Sequence, residues 1–152
     1  MRSCATAILV TLLCCVTLRA QNAPQQQSTP AAFDAQIASR LLLQLSEALR
    51  GHSQKQFLAL FDLAKMKDGA LFRQQINSFF AQTESIRVHL NLGDISLDGD
   101  KASIAVEAEM EAEPKNGGAI ARRNERLNLV VANTGNSWKF VELQPRSFFS
   151  LP

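Results

Sequence analysis

The sequence predicts an α+β domain: three N-terminal helices packed on a curved antiparallel sheet of four or more strands. Two observations carry this. Apolar residues recur at helical spacing from Phe33 to Phe80, and from Ser85 onward the period changes to two. Turn residues at Asp98-Gly99, Pro114–Gly118 and Asn133–Asn136 divide the second half into hairpins.

The first helix is expected over Ala32–Arg50, where Phe33, Ile37, Leu41, Leu45 and Leu49 fall four apart and Gly51 supplies a stop. Ser53 and Gln56 have the spacing of a capping box, opening a second helix that carries Phe57, Leu58, Leu60 and Phe61. Asp68 is placed to cap a third, with Leu71, Phe72, Ile76, Phe79 and Phe80 as its apolar stripe. These phenylalanines read as core.

Ile86, Val88, Leu90 and Leu92 alternate with polar residues until Gly93-Asp94, after which the apolar parity moves to Ile95 and Leu97. A parity switch beside glycine in an extended run predicts a β-bulge, with two separate strands as the competing reading. The next strand alternates Ala102, Ile104, Val106, Ala108, Met110 and Ala112 with Ser103, Glu107, Glu109, Glu111 and Glu113. Its partner is registered by setting Val106 opposite Leu127 and Ile104 opposite Leu129. The same register brings Glu107 to Arg126 and Glu111 to Arg122 on the other face. For the last hairpin, Val131 is set opposite Trp138 and Leu129 opposite Phe140. That leaves Val130, Val141 and Leu143 on the outer, charged face. Phe148 and Phe149 follow as closure for the end of the domain.

Residues 1–20 read as a secretory signal peptide: Met1-Arg2, an apolar run from Cys4 to Leu18, and a cut after Ala20. An uncleaved membrane anchor and a lipidated Cys14 or Cys15 are the alternatives. The whole chain of 152 residues has net charge +2 and three cysteines. The signal segment carries Arg2, Arg19 and every cysteine, so the exported chain is neutral and free of thiols. That removes thiolate chemistry and the electrostatic motive for nucleic-acid binding. Residues 21–31, QNAPQQQSTPA, read as a disordered polar tether, and residues 32–150 as one domain, periplasmic or secreted. No membrane contact beyond the signal segment is expected.

ALRGHSQKQFLALFD, the strand-turn-strand ISLDGDKASIAVEAE, and Leu127–Leu143 with its GNSWKFVELQ ending resemble the nuclear-transport-factor-2-like (cystatin-like) superfamily. The resemblance covers roughly Phe33 to Phe149 and is one of fold. It implies a cone-shaped sheet wrapped on helices around an apolar pocket, in a family of isomerases, dehydratases, cyclases and domains that only bind or associate. It also implies homodimers through the outer sheet face, for which Val130, Val141 and Leu143 are the apolar candidates.

No cofactor or metal is implied. His52 and His89, the only histidines, are not at ligand spacing, and no Gly-rich phosphate loop or nucleophile elbow occurs. The resembling isomerases use a tyrosine, and this chain has none. Asp62 and Glu125 are the candidate catalytic carboxylates. The candidate pocket set is Asp62, Arg123, Glu125, Trp138, Phe140 and Glu142: the resemblance implies Asp62, which lies where pocket acids occur in some related enzymes, while Arg123, Glu125 and Glu142 fall in the phase of Trp138 and Phe140, where charged groups must pair or sit at an open mouth. The leading expectation is a non-enzymatic module for a small hydrophobic ligand or for association. A cofactor-independent isomerase or dehydratase and a structural, partner-binding domain are the alternatives.

Overall fold

The computed structural model describes residues 32–151. The expected signal peptide, the expected tether and all three cysteines lie outside the described residues. Among the described residues no helix is long and apolar enough to cross a membrane.

Three helices precede four strands: α1 (Ala35–Arg50), α2 (Gln54–Ala59), α3 (Gly69–Gln82), then β1 (Thr83–Asp98), β2 (Lys101–Pro114), β3 (Ala121–Asn133) and β4 (Trp138–Gln144). A 3-10 turn, Arg146–Phe149, ends the order. The sheet is antiparallel, in the order β1-β2-β3-β4. Its inner face and the apolar faces of the helices enclose one core.

α1 starts later than its periodicity suggested, because Asp34 supplies the cap: its carboxylate accepts the Ile37 N–H at 2.8 Å. The other two expected caps occupy the cap positions without making the bond. Neither the Ser53 nor the Asp68 side chain accepts a helix N–H, and Asp68 is left-handed at φ 56°. α2 also ends before Leu60 and Phe61. Leu60 turns the chain and Phe61 makes a single parallel bridge to Phe140 on β4, with Phe140 N–H donating to Leu60 O at 3.0 Å and Asp62 N–H donating to Phe140 O at 2.8 Å.

β1 is one strand, and its register with β2 slips between Leu92 and Ile95, where the parity switch predicted a bulge. Gly93 belongs there, since a Cβ would lie 3.0 Å from Ala105 O. The β2–β3 register is the expected one throughout, including Val106 opposite Leu127 and Glu111 opposite Arg122. On the outer face Arg122 bonds Glu111 at 2.9 Å, and Arg126 lies 3.9 Å from Glu107. These are exposed pairs, each worth about 0–1 kcal/mol.

The β3–β4 register differs. Val131 faces Phe140 and Asn133 faces Trp138, a shift of two. The cause is the turn: Asn133 Oδ1 accepts the Gly135 N–H at 2.8 Å, and Thr134 N–H donates to Ser137 O at 2.9 Å. This Asx-type closure makes the connection longer than a two-residue hairpin. A second slip follows at Val130/Val131, leaving Val141 as the extra residue. Parity beyond it is inverted. Leu143 therefore lies opposite Leu129 and is fully buried, while Glu142 lies opposite Val130 and is exposed. Glu142 is thus not a core-side residue, and Leu143 is not part of an outer apolar patch.

Candidate functional site

The candidate residues separate into two places. At the first, the half-buried Trp138 packs edge-on against Phe33, with ring centroids 4.9 Å apart, and Phe140 is fully buried against Phe61 at 5.2 Å. Asp62 is tied to Phe140 through its backbone, but its carboxylate turns back on its own loop. It accepts the Lys65 N–H at 3.3 Å and lies 3.9 Å from Lys65 Nζ. Asp62 is half-buried, and its carboxylate is committed to this turn.

The second place is the other end of β3. Glu125 stands opposite Ala108 and Arg123 opposite Met110, both half-buried. Phe140 faces Val131, so Asp62 and Glu125 are separated by the β3 run from Val131 to Glu125, about 20 Å at the rise of an extended strand. Two carboxylates that far apart cannot share a substrate as acid and base. Glu142 joins neither place. It borders a cleft with Lys67, Asp68 and Arg146.

Phenylalanine fills the interior between these ends. Phe57 is fully buried and within ring contact of Phe61 (5.1 Å), Phe72 (6.4 Å), Phe80 (5.8 Å) and Phe149 (5.4 Å). Phe149 in turn touches Phe79 at 5.6 Å and Phe148 at 5.2 Å. Below the Arg123 end the sheet presents small residues, Ala108, Ala112 and Ala121, all buried. The C-terminal segment closes over this end: Arg123 Nη2 donates to Ser150 O at 3.0 Å, and Gln75 Nε2 donates to Arg146 O at 2.7 Å.

Two clefts border that segment. One of about 330 Å³ is lined by Leu71, Gln75, Phe79, Phe149 and Leu151, and one of about 460 Å³ by Gln82, Pro114, Ala119 and Leu151. Gln82 and Leu151 border both. Sequence reasoning placed Phe148 and Phe149 at the domain's end but did not find Gln75, Arg146 or Ser150. Their bonds run from side chains to backbone carbonyls, which leave no pattern in a sequence.

The histidines divide. His89 is exposed, in register with Glu109. His52 is half-buried against the Phe80 ring at 5.2 Å, with Nε2 3.1 Å from Thr83 Oγ1. The Thr83 hydroxyl donates to Phe79 O at 2.9 Å, so the imidazole Nε2 is the donor in this pair. His52 thus fastens the end of α1 to the end of α3. No group of three or more His, Cys, Asp and Glu among the described residues could hold a metal ion.

No protein-family model matches the chain, and no curated protein matches its sequence. Solved structures do. A nuclear transport factor 2-like superfamily protein from Salmonella enterica aligns at a TM-score of 0.62 with 11% identity, over 71% of this chain and 86% of that one. A protein from Novosphingobium aromaticivorans, named as a scytalone dehydratase, aligns at 0.63 with 12% identity, over 71% and 79%. A hexachlorocyclohexane dehydrochlorinase aligns at 0.57 with 11% identity, over 71% and 80%. At these identities the likeness shows the fold, and the chain has the nuclear-transport-factor-2-like cone. Its neighbours in fold include proteins named as dehydratases.

Proposed function

We propose that the domain is an exported, non-catalytic binding module that takes a small apolar molecule at the end of the cone under the C-terminal segment. The observation that carries this reading is the construction of that end. Phe148 and Phe149 are fully buried although their segment lies outside the sheet, and clefts border that segment at Phe149, Ser150 and Leu151.

Titration with N-phenyl-1-naphthylamine, a neutral apolar fluorophore, tests the proposal. Saturable 1:1 enhancement supports it. Linear, non-saturating enhancement for the folded protein counts against it.

The dehydratase or isomerase alternative would use Glu125, half-buried opposite Ala108, or Asp62, whose carboxylate accepts from its own turn. Turnover abolished by Glu125→Gln would establish it. Dimerisation through the outer sheet face has lost Leu143, which points inward, and that face carries the ion pairs of Glu107 and Glu111. Export rests on residues 1–20.

A further inference from the structure

Two side-chain nitrogens among the described residues are buried without an acceptor: Nε of Arg123 and Nε of Arg146. Buried donors are nearly always bonded, so each such case calls for a reason. Both belong to the guanidinium groups that fasten the same segment. Arg123 holds Ser150 O at 3.0 Å, and Arg146 holds Lys67 O at 2.6 Å while lying over the Phe72 ring at 5.6 Å. Gln75, on α3, supplies the third tie through Arg146 O.

The segment's own backbone bonds are local. Phe148 N–H donates to Pro145 O and Ser150 N–H to Ser147 O, and among the described residues none of its backbone groups joins the sheet ladder or a helix backbone. Yet Phe148 and Phe149 are as buried as the centre of the core. The segment is therefore packed like core but wired like a loop. Lifting it breaks no ladder bond, and the ties it releases go from incompletely satisfied guanidinium groups to water.

Resting on the binding reading above, we infer that Arg146–Leu151 is a displaceable plug. Phe148 and Phe149 occupy the space the apolar ligand takes, and Arg123, Arg146 and Gln75 latch the segment down. A ligand that binds only the open form has its apparent affinity reduced by the fraction of protein that is open, so loosening a latch raises affinity with no new ligand contact.

The experiment compares N-phenyl-1-naphthylamine binding by the full chain and three variants, each checked for native near-UV circular dichroism. Arg123→Gln loosens a latch without removing a ring, and Phe149→Ala removes a ring from the plug. Ile104→Val mildly loosens the core about 20 Å along β2 from Met110. The plug predicts that Arg123→Gln lowers the apparent Kd by about tenfold, that Phe149→Ala lowers it at least as much, and that Ile104→Val leaves it unchanged. Equal binding by all four forms overturns the plug and leaves the binding reading standing. A gain for Ile104→Val as large as that for Arg123→Gln overturns the plug as well, since the effect would be general loosening. Absence of saturable binding in every folded form overturns the binding reading itself. Should Phe149→Ala fail to fold, the Arg123→Gln comparison still decides.

Discussion

Truncating Phe57 and truncating the C-terminal phenylalanines should differ in a way that stability measurements can separate. Phe57 is fully buried with four rings around it, inside elements bonded to one another. Phe57→Ala should cost about 3–5 kcal/mol, the usual figure for a buried aromatic truncated in a core that cannot collapse. Phe148 and Phe149 are buried to the same degree, so a rigid core would charge about as much for each and roughly double for both.

A separately docked segment behaves differently, because its loss is capped at its docking free energy. Burying the two rings contributes about 3–6 kcal/mol, and three side-chain-to-backbone bonds contribute about 3 kcal/mol. Ordering Arg146–Leu151 costs about 6 kcal/mol or more. Docking therefore nets no more than about 3 kcal/mol, and that is the ceiling for Phe149→Ala and for Phe148→Ala/Phe149→Ala alike. Urea unfolding followed by the single tryptophan, Trp138, reads all three. Single and double plug variants should lose nearly the same amount, a strong non-additivity. A double variant that loses about 6 kcal/mol or more, near the sum of its singles, would refute the reasoning.

Three further outcomes follow from the local structure. Asp34→Ala should cost about 1 kcal/mol, because it removes the one side-chain cap bond of α1, and thermal denaturation should show a shift of a few degrees. Gly69→Ala should destabilise although alanine is the better helix former by about 1 kcal/mol. A Cβ there would lie 2.1 Å from Leu63 O, so the backbone must move; unchanged or raised stability would contradict that geometry. Intact-mass analysis of the exported protein should give a chain beginning at Gln21, without cysteine or lipid.

The β2–β3 register was readable because two independent signals agreed: apolar pairs on one face and opposite charges, Glu107–Arg126 and Glu111–Arg122, on the other. The β1 bulge was readable for a related reason, since Gly93-Asp94 leaves an uncompensated change of parity. The β3–β4 register was not. A shift of two keeps Trp138 and Phe140 on the same face, so hydrophobic pattern cannot tell the alternatives apart. The Asn133 side chain decides between them. The slip at Val130/Val131 then inverts the parity of every later residue, which moved Glu142 out and Leu143 in. Among the candidate residues, the half-burial of Arg123 and Glu125 was readable from their parity on β3. The ties at Gln75, Arg146 and Ser150 were not found, because a side chain reaching a carbonyl depends on where the backbones meet rather than on residue type.

The account turns on whether the C-terminal segment opens independently of the rest of the cone. Native-state hydrogen exchange of the Phe148 and Ser150 amides, referenced to Leu129 in β3, measures this directly. Independent opening predicts that the two segment amides exchange at a free energy several-fold below that of Leu129, with almost no dependence on low urea. Exchange of all three at one free energy and one urea slope would make Phe148 and Phe149 ordinary core and contradict the account.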